Sequence, residues 1–380
     1  MKELHSFAPP KRILMGPGPS DVSPRVLAAM AQPTIGHLDP AFVRMMDELK
    51  DLLRATYRTE NSMTLPISGP GSIGMETCFA NLIEPGDTVV VCQNGVFGGR
   101  MKENVVRMGG VPVMVENEWG RAVSAEDLEA ALIGHPEASV VAFVHAETST
   151  GALSDAETLA ALARRHGCLT IMDAVTSLGG VPVEIDGWEI DAVYSGTQKC
   201  LSVPPGLSPV SFSEKAMDRL RARKTPVQSW FGDLSLLDGY WAAGAKRSYH
   251  HTAPVNALYG LHEGLLALQE EGLEAAWARH RENHEALRVG LEGIGIDFVV
   301  PVDERLPQLN AVSIPDGVPD ADVRGLLLEE FNLEIGAGLG ALAGKVWRIG
   351  LMGTSSTAGH VELCVKSLSA ALSRLSAARA

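Results

Sequence analysis

Short apolar runs alternate with amphipathic stretches along this chain, and the runs carry few polar residues at every second position. Residues 88–92, 111–115, 139–144, 169–172 and 191–194 read as strands, with helices over 124–132 and 155–165 between them. A strand wet on one face shows period-two alternation, so these strands read as covered on both faces. That pattern selects an α/β fold with a mainly parallel sheet.

The first 35 residues are proline-rich and read as an extended arm. Asp39-Pro40 then gives an N-cap and first-turn signal, with Val43, Met46, Leu49, Leu52 and Leu53 on one face of the helix that follows. Near residue 255 the texture changes to a helical stretch over 255–291, followed by short strands at 298–300, 311–314 and 346–351. The expected organisation is an arm (1–20), a large domain (21–254) and a smaller C-terminal domain (255–380), which suits 380 residues. The five cysteines form no CxxC pair, which argues against a disulfide framework or a structural zinc. The opening segment has no apolar signal core, and no apolar run approaches the ~20 residues a membrane span needs. A soluble, intracellular protein is expected. The net charge of −14 argues against nucleic-acid partners.

Three features carry chemistry. Ser68-Gly69-Pro70-Gly71-Ser72 feeds a helical pattern built on Met75, Phe79, Leu82 and Ile83. Such a turn either presents backbone N–H groups and a helix dipole to an anion or merely caps the helix. Asp173 ends an apolar strand, where an open sheet meets its ligands, though it could equally cap the next helix. Lys199 follows the strand ending at Tyr194, and a desolvated lysine there could offer a neutral amine. Together they supply what pyridoxal 5'-phosphate requires: a phosphate cradle, a partner for the ring nitrogen and a tether for the aldehyde. Arg348 alternates with Trp347, Ile349 and Leu351, so it should face a cavity where its fork could grip a carboxylate.

With these blocks, and with Met15–Ser20, Asn94–Arg100, His145–Gly151, Tyr249–Thr252 and Lys345–Gly353, the chain resembles the class V pyridoxal-phosphate aminotransferases, in particular the alanine–glyoxylate, serine–glyoxylate and serine–pyruvate group. The resemblance implies fold type I, with a seven-stranded sheet in the large domain and a smaller α+β C-terminal domain. It implies that Lys199 is the Schiff-base lysine and that Asp173 is the partner of the ring nitrogen. Phe97 takes the ring-stacking position, Thr148 lies near the phenolic oxygen, and Val175 packs on the other ring face. Gly71, Ser72 and Gln198 become phosphate ligands, and Gly18 lines the substrate pocket. Tyr249 and Thr252 would reach the phosphate in the neighbouring subunit, so a homodimer with shared sites follows. Where relatives often read SGSGH this chain has Pro70, which removes a hydroxyl and an N–H.

The resemblance therefore implies transfer of an amino group from alanine or serine to glyoxylate or pyruvate. Alternatives are another donor, such as ureidoglycine or an aminophosphonate, or a cysteine desulfurase or lyase on the same fold. The tail lacks an SKL-like ending, which favours the cytoplasm. His280 and His284 stand four apart, but Arg279, Arg281, Glu282 and Glu285 surround them, so a solvated helix face is expected and no metal site.

Overall fold

The computed structural model describes residues 5–242 and 247–377. The first four residues of the expected arm and the last three of the tail lie outside the described residues. The apolar runs assemble into a seven-stranded sheet in the order Met63–Ser68, Leu207–Phe212, Ala192–Tyr194, Leu169–Asp173, Ala138–Val144, Thr88–Gln93, Val111–Glu116. Leu207–Phe212 is antiparallel to both neighbours, and every other adjacent pair is parallel. Val89, Val90 and Val91 are wholly buried on successive faces, as a doubly covered sheet requires. Each such side chain contributes about 1.5–3 kcal/mol by leaving water.

A second hydrophobic cluster gathers Trp347, Ile349 and Leu351 with Val361, Leu368 and Leu291. It packs on an antiparallel sheet ordered Leu309–Ser313, Val346–Gly350, Gly336–Ala337. The arm links the two clusters. Ile13–Leu14 pairs in parallel with Leu333–Glu334, and Met15 is buried in the second cluster. A few residues on, Ser20 donates from its N–H to Gln198 O (2.9 Å) and from its hydroxyl to Lys199 O (2.7 Å).

Several expectations need correction. The arm is not extended throughout, because Ser23 caps a helix over Pro24–Met30. In the helix Pro40–Tyr57, Phe42 rather than Val43 or Leu52 joins the wholly buried face. The stretch over 255–291 is two helices, Val255–Glu271 and Leu273–Glu292, separated by Gly272 at φ 87°. Residues 298–300 form no strand; Phe298 makes a single bridge to Val312.

The expected solvated face at His280 and His284 is in fact buried. That face of Leu273–Glu292 meets the segment after Val346–Gly350. His280 Nε2 accepts from Gly353 N (2.9 Å), so its Nδ1 carries the proton to Ala276 O (2.6 Å), and burial pushes its pKa down to about 4. His284 Nδ1 lies 2.6 Å from Asn310 Oδ1. The sequence missed this because the charged neighbours mask an inward face, and Arg279 itself turns in to bond Gly353 O and Ser356 O. No cluster placed to hold a metal occurs among the described residues, and none of their helices is long and apolar enough to cross a membrane.

Candidate active site

The candidate residues converge at the carboxyl ends of the parallel strands. Asp173 closes Leu169–Asp173 and is 3% exposed. Its Oδ1 accepts from Val175 N (2.8 Å) and its Oδ2 from the Tyr194 hydroxyl (2.7 Å). Burial raises this carboxyl to about 6, and the two hydrogen bonds oppose the rise.

Lys199 is 8% exposed, and its Nζ donates to Pro17 O in the arm. Burial, then the charge on Arg348, push the amine down to about 8, while Asp173 pulls the other way. Above Lys199 sits Gly18 at φ +111°, where an added Cβ would lie 2.6 Å from Nζ. Only a glycine lets the arm close over the amine this tightly.

The phosphate candidates are two residues at a helix start and one polar side chain with a buried oxygen. Gly71 opens the helix Gly71–Leu82, whose cap position, Pro70, contributes no side-chain bond. The N–H groups at Gly71 and Ser72 have no intrahelical acceptor, as at any helix start. A Cβ at Gly71 would lie 3.0 Å from Val175 Cγ2, so glycine allows the helix to close on the ring-packing candidate. Gln198 Oε1 is buried without a hydrogen-bond partner.

Phe97 is the second residue of the helix Val96–Arg107. Its N-cap position, Gly95, has no side chain to cap it, and the cap comes from elsewhere. Glu147 Oε2 accepts from Phe97 N (3.2 Å), and Ser149 Oγ accepts from Val96 N (3.0 Å). Glu147 is wholly buried, and burial raises its carboxyl to about 7 against the donors of Ser149 and Phe97. The Arg100 guanidinium lies 4.8 Å from the Phe97 ring centre.

Thr148 is buried, with Oγ1 2.5 Å from Thr176 Oγ1. Its carbonyl accepts from Arg348 Nη1 (3.2 Å), and Arg348 Nε donates to Ala337 O (2.7 Å). Arg348 is 6% exposed, and burial lowers it to about 10. Among the described residues no acidic side chain lies within ion-pair distance of it. The same absence holds for Lys199, Asp173 and Glu147, so four buried ionisable groups that influence one another's charge lie together without an ion pair among the described residues.

Tyr249 and Thr252 stand apart. Both are exposed, Tyr249 at 64%, and neither bonds the residues above. Their neighbour His251 does, with Nε2 3.0 Å from Ser68 Oγ at the start of the glycine-rich turn. Cys200, behind Lys199, is buried; its thiol faces Thr176 O (3.6 Å) and burial pushes it up to about 12. Such a thiol is a poor nucleophile.

Glu147, Tyr194, Ser149, Thr176 and the Pro17 carbonyl were missed as contributors. For Glu147 there was a signal: a carboxylate inside the otherwise uncharged run 138–152 must find donors or cost several kcal/mol, on the order of its desolvation. For a backbone carbonyl there was none.

The sequence matches the family described as Aminotransferase class-V over residues 14–357. It is 40% identical to the alanine–glyoxylate aminotransferase of Rattus norvegicus over 96% of this chain and 88% of that protein. It is 38% identical to the (S)-ureidoglycine–glyoxylate transaminase of Bacillus subtilis over 98% of this chain and 94% of that one. The crystal structure of an alanine–glyoxylate aminotransferase from Nostoc sp. superimposes with a TM-score of 0.95 at 45% identity, covering 97% of both chains.

Proposed function

The chain belongs to the class-V aminotransferases, and from that premise we propose that it moves the amino group of alanine or serine onto glyoxylate or pyruvate, the two half-reactions alternating at one site. The observation that carries this reading is Arg348, a buried guanidinium with no acidic partner among the described residues, close enough to Lys199 to depress its amine. An unpaired buried cation beside a reactive amine suits the α-carboxylate shared by amino and oxo acids.

The cofactor expected of the family is pyridoxal 5'-phosphate, and the residues fit it. Gln198 has an orphaned polar atom, Gly71 and Ser72 offer N–H groups, and Lys199 and Asp173 are buried and unpaired by ions. When bound, it supplies an electron sink for labilising the bonds at the donor's α-carbon. Asp173 would hold the proton on the ring nitrogen. Lys199, with a pKa depressed toward neutrality, would carry a proton to and from the α-carbon. Arg348 would fix the carboxylate so that the amino group faces Lys199. The arm at Pro17 and Gly18 would exclude water and leave little room above the amine, which favours small donors. Tyr249 and Thr252, exposed on the single chain, would complete the phosphate site of a second copy in a homodimer.

A second donor, (S)-ureidoglycine, is favoured by the likeness to the Bacillus subtilis transaminase, which matches almost as well as the rat enzyme. Glyoxylate stands in both names, so the two readings differ in the donor alone. Purified holoenzyme assayed with alanine, serine and (S)-ureidoglycine against glyoxylate and pyruvate separates them. Alanine or serine with glyoxylate should lead by about tenfold or more in kcat/KM. A lead by ureidoglycine would replace the donor assignment, and no turnover with any pair would overturn the reading.

A further inference from the structure

We propose that Tyr194 is a positioning residue for Asp173, its phenol holding the carboxyl ionised and aimed for the cofactor's ring nitrogen. The inference rests on the reading of Asp173 given above. Tyr194 and Asp173 are direct neighbours in the parallel ladder, and Ala174 N donates to Tyr194 O (2.9 Å), so strand register fixes the phenol beside the carboxyl. Tyr194 is wholly buried, and Asp173 Oδ2, at 2.7 Å, is the acceptor of its hydroxyl. The helix that starts at Gly71 closes on the same side chain: a Cβ at Gly74 would lie 3.0 Å from Tyr194 Cβ. One tyrosine therefore touches the ring-nitrogen anchor and packs near Gly74 of the helix that carries the phosphate candidates.

The surroundings make the phenol necessary. Burial drives Asp173 toward its neutral form, which cannot stabilise a protonated ring nitrogen. Lys199 and Arg100 oppose that drift from a distance, as does the Val175 N–H at contact. The other titratable groups facing Asp173 are Tyr57, Cys78 and Glu147, none of them a cation. Among the described residues, Tyr194 supplies the one side-chain hydrogen bond that selects the carboxylate. Because the donor favours the ionised form, its removal raises the Asp173 pKa, and cofactor affinity is then lost at a higher pH as conditions are acidified.

The test measures pyridoxal 5'-phosphate binding to apoprotein by fluorescence quenching between about pH 5 and pH 8, spanning the carboxyl's expected titration. It compares wild type, Tyr194→Phe, Tyr57→Phe and Asp173→Asn, with circular dichroism on each. Tyr57 is the matched control, a buried tyrosine whose hydroxyl donates to Pro209 O (2.9 Å) rather than to Asp173. Loss of a bond to a charged acceptor should move the midpoint of Tyr194→Phe up by about one pH unit, with about tenfold weaker binding between the two midpoints. Tyr57→Phe should leave it in place. An unmoved midpoint in Tyr194→Phe, or an equal shift in both tyrosine variants, overturns the role of Tyr194 provided Asp173→Asn binds weakly. If Asp173→Asn binds like wild type, the reading of Asp173 itself fails.

Discussion

Replacing Arg348 tests the substrate reading most directly, because the structure fixes how much of its fork is committed. Nε is spent on Ala337 O and one Nη1 hydrogen on Thr148 O, which leaves the Nη2 side of the guanidinium for a carboxylate. Arg348→Lys keeps a charge but gives up the planar fork. A charge-assisted hydrogen bond is worth about 1.5–3 kcal/mol, so kcat/KM for alanine should fall about ten- to hundredfold. Arg348→Gln also removes the cation, and a buried carboxylate without its partner costs about 3–5 kcal/mol, a loss beyond a hundredfold. The assay is the half-reaction of holoenzyme with alanine and with ethylamine, followed by the cofactor's visible absorbance. Ethylamine lacks the carboxylate, so its slow reaction should be nearly indifferent to residue 348. Equal losses with both amines in Arg348→Gln would show that the arginine only braces Ala337 and Thr148, and the substrate assignment would fall.

Gly18→Ala should cut activity by more than about tenfold while the protein stays folded, since a Cβ at φ +111° meets Lys199 Nζ; wild-type turnover would refute the tight closure of the arm. Apoprotein should take up pyridoxal 5'-phosphate faster as pH rises toward about 8 and then level off, because the reactive amine is the neutral one; stopped-flow traces flat across that range would contradict a depressed Lys199. The same depression means the unfolded chain binds more protons than the folded one between about 8 and the ordinary 10.5, so this lysine's contribution to stability grows as pH rises through that window. Thr252→Ala combined with Tyr249→Ala should weaken cofactor binding although both residues are exposed on the single chain. Mixed with Lys199→Ala, the double variant should show complementation in hybrid dimers; its absence would leave those residues without the shared-site role.

The central sheet was legible because strands covered on both faces must be apolar, as at Val89–Val91. Leu207–Phe212 was not, since it reads Leu-Ser-Pro-Val-Ser-Phe and a proline argues against an interior strand. The structure resolves the conflict by register. Pro209 stands opposite Pro66 of the edge strand, and its carbonyl takes Ser195 N (2.8 Å) from the other side. Lys199, Asp173 and Arg348 stand out in the sequence because each is a charge in an apolar setting. Tyr194 could not, because a tyrosine in a buried strand looks like core until its hydroxyl finds an acceptor. The inward face at His280 was hidden by charged neighbours, one of which, Arg279, turns in to bond the backbone.

The four buried ionisable groups without ion pairs have a consequence for the life of the protein in a cell. Lys199 and Arg348 are pushed down, Asp173 and Glu147 up, so burial taxes the charged form of all four. A freshly made chain would carry that penalty until its ligand arrives. A ligand that binds only the native form, at a hundred times its dissociation constant, shifts the folding balance by about 2.7 kcal/mol. The vitamin-derived cofactor would then act as a folding partner as well as a reagent. Substitutions far from the site that are silent in nourished cells would surface as lost protein, through proteolysis of the unfilled form, when that vitamin runs short.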